Sequence, residues 1–230
     1  MKLLIVLLIL VTTINAAKNG IDFIQPVSVE TFKCIHKDGY SFVIPRVFTS
    51  VGTLDHTGIQ NVKHAREGNK SFKNTFVNGR KISAGLTDVD GYIFPCLASH
   101  CPSAANQVKE TLDALKSAGT HVSTLWLDIE RLAWPANHAH NRAFIEEMVK
   151  EAEARKQHVG IYSNYYNWQD IVGLDYHGQS HLMLWWATYD GIKDFSKFVA
   201  FGGWKKPTIH QWHGTTKGPC GVSVDLNYVP

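Results

Sequence analysis

The sequence contains no apolar run long enough to cross a lipid bilayer. The longest run begins at Leu3 and ends at Val11, whereas a membrane-spanning helix needs about 18–20 apolar residues. The chain also lacks a strong excess of charge of either sign, since 23 lysines and arginines against 20 aspartates and glutamates leave a net charge of +3. So small an excess does not indicate nucleic-acid binding. We therefore expect a protein that binds neither membranes nor nucleic acids.

The apolar run at the N-terminus has the features of a secretory signal. Lys2 supplies a positive charge before the run, and Ala16 and Ala17 offer small residues for cleavage. We therefore expect residues 1–16 to be removed, which leaves residues 17–230 as one large domain. The product would be secreted, or delivered to the lumen of secretory or lysosome-related compartments.

Cysteine is scarce, with four residues in the whole chain. An even number of cysteines in an exported protein predicts disulfides, and four cysteines allow three connectivities. Cys96 and Cys101 are close enough in sequence to close one loop, which leaves Cys34 and Cys220 to join the N-terminal region to the C-terminus. The C-x4-C spacing does not match usual zinc sites. We therefore predict these two disulfides, and neither a metal nor another cofactor.

Apolar, β-rich runs alternate with helical patterns through most of the chain, without repeats or low-complexity tracts. Val108, Leu112 and Leu115 mark one helix face, and Ile145, Met148, Val149 and Ala152 mark another. The predicted strands are 20–24, 40–48, 89–95, 122–130, 159–162, 182–187 and 208–212. Such alternation predicts a parallel sheet or an α/β barrel.

One stretch, residues 68–83, does not fit this alternation. It contains four basic residues, several asparagines and glycines, and no acidic residue. Because it offers little apolar surface to bury, we expect a flexible insertion between a helix and the next strand. Such a connection lies at the end of a barrel opposite the usual active-site face. Asn69 begins the sequon Asn69-Lys70-Ser71 and is a candidate glycosylation site.

The pattern that carries chemistry is Asp128-Ile129-Glu130, at the end of a predicted apolar strand. Side chains alternate along a strand, so Asp128 and Glu130 share one face, with Trp126 behind them. Two carboxylates roughly 7 Å apart along the strand repel each other when both are ionised, so one holds its proton more readily. A protonated acid beside an ionised one is what cleavage of a glycosidic bond requires. Taken alone, a D-x-E pattern is far more often a pair of strand-end acids at a helix N-terminus or in a surface ion pair than a catalytic pair.

Aromatic residues are abundant, with seven tryptophans and eight tyrosines. Sugar-binding clefts use flat aromatic faces against the apolar faces of pyranose rings, although most aromatic residues of a protein belong to its core. Trp126 and Trp185 both lie on predicted strands near the expected mouth of the barrel. We therefore consider these two the better candidates for contact with a sugar.

Three segments that bear acids occur in order: Gly20-Ile21-Asp22, Leu127-Asp128-Ile129-Glu130 and Val224-Asp225-Leu226-Asn227. Further characteristic segments are 92–96, 160–163, 184–187 and 201–204, the last leading to Gln211. Together they resemble glycoside hydrolase family 25, the Chalaropsis-type lysozymes, and most closely its secreted animal and amoebal branch. The resemblance covers nearly the whole chain after the predicted signal.

The resemblance implies an irregular (β/α) barrel of the TIM type in a single domain. It also implies cleavage of the β-1,4 bond between N-acetylmuramic acid and N-acetylglucosamine in peptidoglycan. Glu130 would be the general acid, and Asp128 either the nucleophile or the group that orients the substrate's 2-acetamido group. Asp22 and Asp225 would complete the catalytic cluster. The expected substrate-binding residues are Tyr92, Trp126, Tyr162, Trp185 and Gln211.

A monomer that acts on bacterial peptidoglycan, in antibacterial defence or in digestion of bacteria, is thus expected. Three alternatives stay open. A chitinase of the barrel type carries additional acids before its D-x-E, where this chain has Thr124 and Trp126. A catalytically inactive peptidoglycan-binding lectin would not need all four acids. A cationic antimicrobial protein would need only charge, which twelve histidines supply at acidic pH.

Overall fold

The computed structural model describes residues 17–72, 76–77, 80–81, 86 and 88–230. The strands are β1 (Lys18–Phe23), β2 (Tyr40–Phe48), β3 (Phe76–Val77), β4 (Arg80–Lys81), β5 (Asp88–Val89), β6 (Gly91–Ile93), β7 (Thr124–Asp128), β8 (His158–Ser163), β9 (Met183–Ala187), β10 (Ile209–Lys217) and β11 (Ser223–Val229). The helices are α1 (Val29–Lys37), α2 (His56–Phe72), α3 (Ala104–Ser117), α4 (His138–Ala154) and α5 (Tyr165–Ile171). The predicted signal, residues 1–16, lies outside the described residues.

Eight of the described strands form a closed barrel. Their order around the ring is β1, β11, β10, β9, β8, β7, β6 and β2, and β1 closes the ring by pairing with β2. The pairings are parallel except those of β11, which runs antiparallel to both β10 and β1. The predicted α/β barrel is therefore confirmed, in an irregular and mixed form.

The irregularity comes from β11, a strand that the sequence analysis did not predict. A short turn at Pro219–Gly221 joins it to β10, where a regular barrel would have a helix. Antiparallel neighbours need only such a short connection, whereas parallel neighbours need a crossover. The turn brings Asp225 of β11 into register with Asp22 of β1.

Buried apolar side chains form two clusters on the two faces of the barrel sheet. The larger lies between the strands and the helices, and it includes Leu125 and Leu127 of β7. The smaller fills the barrel interior and consists of Phe42, Ile44, Trp126, Tyr162, Trp185, Ala187 and Ile209. The alternation predicted for β7 is therefore correct, with Trp126 inside and its neighbours facing the helices.

The two predicted helix faces are confirmed. Val108 and Leu115 of α3 are buried in the outer cluster, and Leu112 packs against it. All four marker residues of α4 are buried there as well. In the described part of the chain, no helix is long and apolar enough to cross a membrane.

Part of the predicted insertion at 68–83 lies among the described residues. Residues 68–72 are the last turn of α2, and β3 pairs with β4 in a separate two-stranded sheet. Gly68 is buried where α2 packs against α1, and the helix continues to Phe72. The connection does join a helix to the next strand, as predicted. Its remaining residues lie outside the described ones.

Both predicted disulfides are present. Cys34 of α1 bonds to Cys220 in the Pro219–Gly221 turn, across 186 residues of sequence. Cys96 bonds to Cys101, five residues away. The first bond ties α1 to the turn between the two antiparallel strands, whereas the second closes one short loop after β6.

Loop length predicts that the two disulfides contribute unequally to stability. Replacing Cys34 and Cys220 together by serine should lower the free energy of unfolding by about 2–4 kcal/mol, because a long loop restricts the unfolded chain strongly. The matched replacement of Cys96 and Cys101 should cost about 2 kcal/mol less than that. Urea denaturation of both double variants measures the difference. Equal losses would contradict the expectation.

Candidate active site

Four acidic side chains lie at the end of the barrel where the parallel strands finish. Asp22 is near the end of β1, Asp128 ends β7, Glu130 lies two residues beyond it, and Asp225 is on β11. All four line one cavity of about 120 Å³. The four acids singled out by the sequence are thus brought together from three distant segments.

The backbone around Asp128 and Glu130 is anchored to the neighbouring strand β8. Ile129 N donates to the Tyr162 carbonyl at 2.8 Å, and Ser163 Oγ donates to the Ile129 carbonyl at 2.8 Å. Ile129 itself is buried in the outer cluster. Because the Ile129 side chain faces the helices, Asp128 and Glu130 on either side of it face the cavity.

Beyond Glu130, helix α5 fixes the chain. Arg131 donates from both its backbone N and its Nε to Asn167 Oδ1, each at 3.2 Å. Asn164 caps the same helix by accepting from Asn167 N at 2.9 Å. Glu130 is therefore held between two fixed points, although it lies outside the regular strand.

Burial raises the pKa of every acid in the cluster, and repulsion by a neighbouring acid adds to this for all of them except Asp225. Burial raises the pKa of Asp22 to about 7, and the charge of Asp225 adds to this. Burial, then Glu130 and then Asp22, raise the pKa of Asp128 well above its usual range. The pKa of Glu130 is raised by burial and next by Asp225, in the direction the sequence predicts. The cluster thus retains protons at weakly acidic pH.

Asp128 and Asp22 differ in how their oxygens are solvated by the protein. Asp22 Oδ1 accepts from Gln211 Nε2 at 2.8 Å and from Asn227 Nδ2 at 2.7 Å. Asp128 Oδ1 is fully buried and has no hydrogen-bond partner. Because no donor compensates for its burial, the neutral form of Asp128 is favoured more strongly than that of a solvated carboxyl group.

Gln211 connects the acids to two tyrosines. Tyr162 Oη donates to Gln211 Oε1 at 2.8 Å, and Tyr189 Oη donates to the same atom at 2.9 Å. Gln211 Nε2 also reaches Asp225 Oδ2 at 3.3 Å, beside its bond to Asp22. The amide therefore fixes two carboxyl groups on one side and two phenols on the other.

Four of the five predicted substrate-binding residues line the acidic cavity; these are Tyr92, Tyr162, Trp185 and Gln211. The fifth, Trp126, does not. Its side chain is buried beneath the cavity, where Nε1 donates to Asp90 Oδ2 at 2.9 Å. Trp126 therefore supports the floor of the site, and the prediction that it contacts the substrate is wrong.

Tyr189 and Asn227 are site residues that the sequence analysis missed. Tyr189 follows the end of β9, so the rule that places barrel chemistry at strand ends would have found it. Asn227 is on β11 and also accepts from Trp185 Nε1 at 2.7 Å. Its part in the site depends on the antiparallel pairing that the sequence did not reveal.

Open recesses lie on both sides of the acidic cavity. A groove of about 680 Å³ shares Glu130, Tyr162 and Tyr189 with it. A recess of about 300 Å³ shares Asp22, Tyr92 and Asp225. The acids therefore occupy the middle of an extended cleft, a shape suited to a chain-like ligand that passes across the barrel mouth.

Exposed aromatic side chains line the larger groove. Tyr166 is 65% exposed and Tyr189 is 61% exposed. Both rings are therefore free to contact a sugar bound in the groove.

Two groups of potential metal ligands occur among the described residues away from the acids, but each contains a disulfide, Cys96–Cys101 or Cys34–Cys220. Bonded cysteines cannot supply thiolates, so the chemistry of these groups does not fit a metal site.

Comparison with known proteins identifies several similar sequences. Residues 13–212 match the profile of a family described as "Lysozyme-like protein 1". The chain is 65% identical over 226 residues to lysozyme-like protein 5 of Caenorhabditis elegans, covering 98% of each chain. It is 34% identical over 215 residues to probable GH family 25 lysozyme 2 of Dictyostelium discoideum, covering 94% of this chain and 92% of that protein.

Solved structures share the fold. A family GH25 lysozyme from Aspergillus fumigatus superposes with a TM-score of 0.66 at 19% identity, covering 94% of each chain. A muramidase from Acremonium alcalophilum gives a TM-score of 0.65 at 17% identity, covering 93% of each chain. Identities this low establish similarity of fold alone.

Proposed function

The chain belongs to glycoside hydrolase family 25, the GH25 lysozymes, and we propose that it is a muramidase. It hydrolyses the β-1,4 bond between N-acetylmuramic acid and N-acetylglucosamine in bacterial peptidoglycan. The observation that supports this most directly is the cluster of four acids in the middle of an open cleft. A polysaccharide can lie in such a cleft with the bond to be cleaved beside the acids.

Glu130 is the general acid in this proposal. It lies where the acidic cavity meets the larger groove, so it can reach an oxygen that bridges sugars in the two spaces. Its raised pKa keeps the proton available at weakly acidic pH. The proton passes to the bridging oxygen as that oxygen leaves C1 of the muramic acid residue.

Asp128 orients the substrate's 2-acetamido group, whose carbonyl oxygen attacks C1 as the glycosidic bond breaks. A direct nucleophile would have to be a free carboxylate, and burial without hydrogen-bond donors disfavours that form of Asp128. A bound acetamido group supplies the missing donor, because its N–H can bond to the Asp128 carboxylate. Water then attacks C1, the acetamido group is restored, and the Glu130 carboxylate accepts the water's proton. A trapped bond between Asp128 and C1 would instead favour the direct nucleophile.

One assay tests the proposed activity and its alternatives. Purified peptidoglycan and chitin are incubated with the protein, and new reducing ends are identified by mass spectrometry after borohydride reduction. We expect reduced N-acetylmuramic acid from peptidoglycan and no cleavage of chitin. Binding without new reducing ends would favour an inactive lectin, and killing of bacteria without hydrolysis would favour a cationic antimicrobial protein.

The predicted signal and the two disulfides support a secreted or lumenal protein, since disulfides persist in oxidising compartments. We propose cleavage after Ala16, leaving residues 17–230 as a monomeric domain that acts in defence or digestion. N-terminal sequencing of the secreted product tests the cleavage site. Asn69, the candidate glycosylation site, lies in the last turns of α2, and mass spectrometry with and without glycosidase treatment tests its modification.

The acid cluster predicts an activity optimum at acidic pH. Glu130 donates a proton only while it is protonated, and burial raises its pKa above that of a free glutamate. The rate should therefore fall as pH rises through this raised pKa, when the acid is lost. A profile of kcat against pH on a soluble muropeptide substrate measures this limb. A rate that increases steadily from pH 5 to pH 8 would contradict Glu130 as the acid.

A further inference from the structure

A buried histidine lies beside the cleft but takes no part in the chemistry proposed above. His210 is on β10 and is 1% exposed. Its neighbours in sequence, Ile209 and Gln211, face the barrel interior and the acidic cavity. His210 therefore faces outward, beneath residues 188–208, which connect β9 to β10.

Both ring nitrogens of His210 lie against backbone carbonyl oxygens of this connection. Nδ1 is 2.6 Å from the Asp194 carbonyl, and Nε2 is 3.0 Å from the Thr188 carbonyl. A carbonyl oxygen only accepts hydrogen bonds, and a neutral imidazole has a single N–H. Only the doubly protonated ring can donate to both carbonyls.

The surroundings of the ring also suit a cation. The ring stacks on Trp186, with centroids 4.1 Å apart and planes inclined by 20°. An indole face attracts a cation placed above it. The protonated ring thus gains from the stacking as well as from the two carbonyls.

These contacts hold one wall of the cleft. Tyr189 directly follows Thr188, and its hydroxyl donates to Gln211 Oε1 at 2.9 Å. Lys197 and Val199, from the same connection, line the larger groove. Fixing the connection at Thr188 and Asp194 therefore places three side chains of the groove, one of which, Tyr189, is the hydrogen-bond partner of Gln211.

Other charged groups face this region from the elements packed around the ring. Asp190, Lys193, Asp194 and Lys197 belong to the connection, Tyr228 belongs to β11, and Trp186 of β9 is uncharged. The Asp194 carboxylate accepts from Ser196 N at 2.8 Å and from Ser196 Oγ. Lys197 Nζ lies 3.9 Å from Asp190 Oδ2, and Lys193 Nζ lies over the Tyr228 ring. Among the described residues the ring nitrogens bond to the two carbonyls, so these two bonds hold the ring against the connection.

We propose that His210 is a positioning residue whose imidazolium form clamps the connection 188–208 against β10 and so shapes the groove for the polysaccharide. The role in substrate binding rests on the proposed function, whereas the clamp does not. A ring with a single N–H would turn a lone pair toward one of the two carbonyl oxygens, so its bond to Thr188 or to Asp194 would be lost.

Hydrogen exchange of the free protein tests the clamp without any substrate. At pH 5, amides in 189–197 should exchange about tenfold more slowly in the wild type than in His210→Phe. This variant keeps an aromatic ring over Trp186 but has no donor, so it loses both bonds to the carbonyls. Replacing the exposed His158 by asparagine is the matched control and should leave the wild-type pattern unchanged.

Two conservative variants and the kinetics complete the test. His210→Asn keeps a donor near the position of Nδ1 and His210→Gln keeps one near Nε2, so each should restore part of the protection that His210→Phe loses. On soluble muropeptide at pH 5, His210→Phe should raise KM about tenfold while kcat changes less than about threefold.

Wild-type protection in His210→Phe, or no more protection in the asparagine and glutamine variants than in His210→Phe, would overturn the clamp. If His210→Phe does not fold, as judged by thermal unfolding, the same comparison is made with the asparagine and glutamine variants. A wild type that shows the expected exchange yet cleaves no peptidoglycan would refute the proposed function and leave the clamp intact.

Discussion

Replacing Glu130 by glutamine should lower kcat on peptidoglycan by about 10²–10⁴-fold while binding of the polymer is retained. Glutamine has nearly the same shape and can still contact a sugar, but it has no proton to give to the leaving oxygen. Of the four acids, Glu130 alone lines both the acidic cavity and the larger groove, so no other acid of the cluster can easily take its place. The measurement is the rate of reducing-end release, with co-sedimentation on insoluble peptidoglycan as the readout of binding.

Glu110→Gln is the matched control for this substitution. Glu110 is exposed on α3, away from the strand ends, and removing its charge should leave kcat unchanged. If Glu130→Gln lysed bacteria at more than a tenth of the wild-type rate, Glu130 would not be the general acid. If Asp128→Asn then proved the more damaging change, the acid would have to be sought deeper in the cavity.

The convergence of the acids could be predicted because a barrel brings the ends of its parallel strands to one face. This rule and the alternation of β7 were enough to place Asp128 and Glu130 together, with Trp126 behind them. The family resemblance added Asp22 and Asp225. None of these inferences required knowledge of how the last strand pairs.

What could not be predicted depends on contacts across the barrel. Strand β11 reverses direction after a short turn, and its register sets Asp225 opposite Asp22 and brings Asn227 to Asp22 Oδ1. No periodicity in the sequence reports that register. The burial of Trp126 could not be predicted either. Alternation along β7 gives the direction of its side chain but does not show that other side chains cover it.

The end of α2 also depends on a contact that composition does not describe. Composition describes how much apolar surface a segment can bury, and residues 68–83 carry little. The helix nevertheless continues to Phe72, since the buried Gly68 packs against α1. A tertiary contact of this kind outweighs local composition and leaves no mark in the sequence.

The second large effect concerns stability, and we expect Asp22→Asn to stabilise the protein at pH 8 while reducing its activity. Burial, with a contribution from Asp225, raises the pKa of Asp22 from 3.8 to about 7. The folded state therefore binds this proton more tightly than the unfolded state, and stability falls as pH rises from about 4 to about 7. Above pH 7 the carboxylate is ionised in both states and the whole penalty is present.

Asparagine removes this penalty but keeps the contacts of Asp22, because its carbonyl oxygen can still accept from Gln211 Nε2 and Asn227 Nδ2. A difference between 3.8 and about 7 in pKa corresponds to about 4 kcal/mol. Since Asp22 and Asp225 relieve each other by sharing protons, a gain of about 2–4 kcal/mol in the free energy of unfolding at pH 8 is expected. For a domain of this size the melting temperature should rise by roughly 5–10 °C. Below pH 4 the gain should vanish, since wild-type Asp22 is then protonated in both states.

Thermal unfolding from pH 3.5 to pH 8, with Glu110→Gln as the control for loss of an exposed charge, measures both the gain and its pH dependence. A gain of equal size at every pH would mean that asparagine acts through packing. A loss of stability at pH 8 would mean that the carboxylate is stabilised in place, contrary to the burial of Asp22 beside Asp225. If the melting temperature rises while peptidoglycan hydrolysis falls, repulsion among these buried acids is retained at the expense of stability because the reaction requires it.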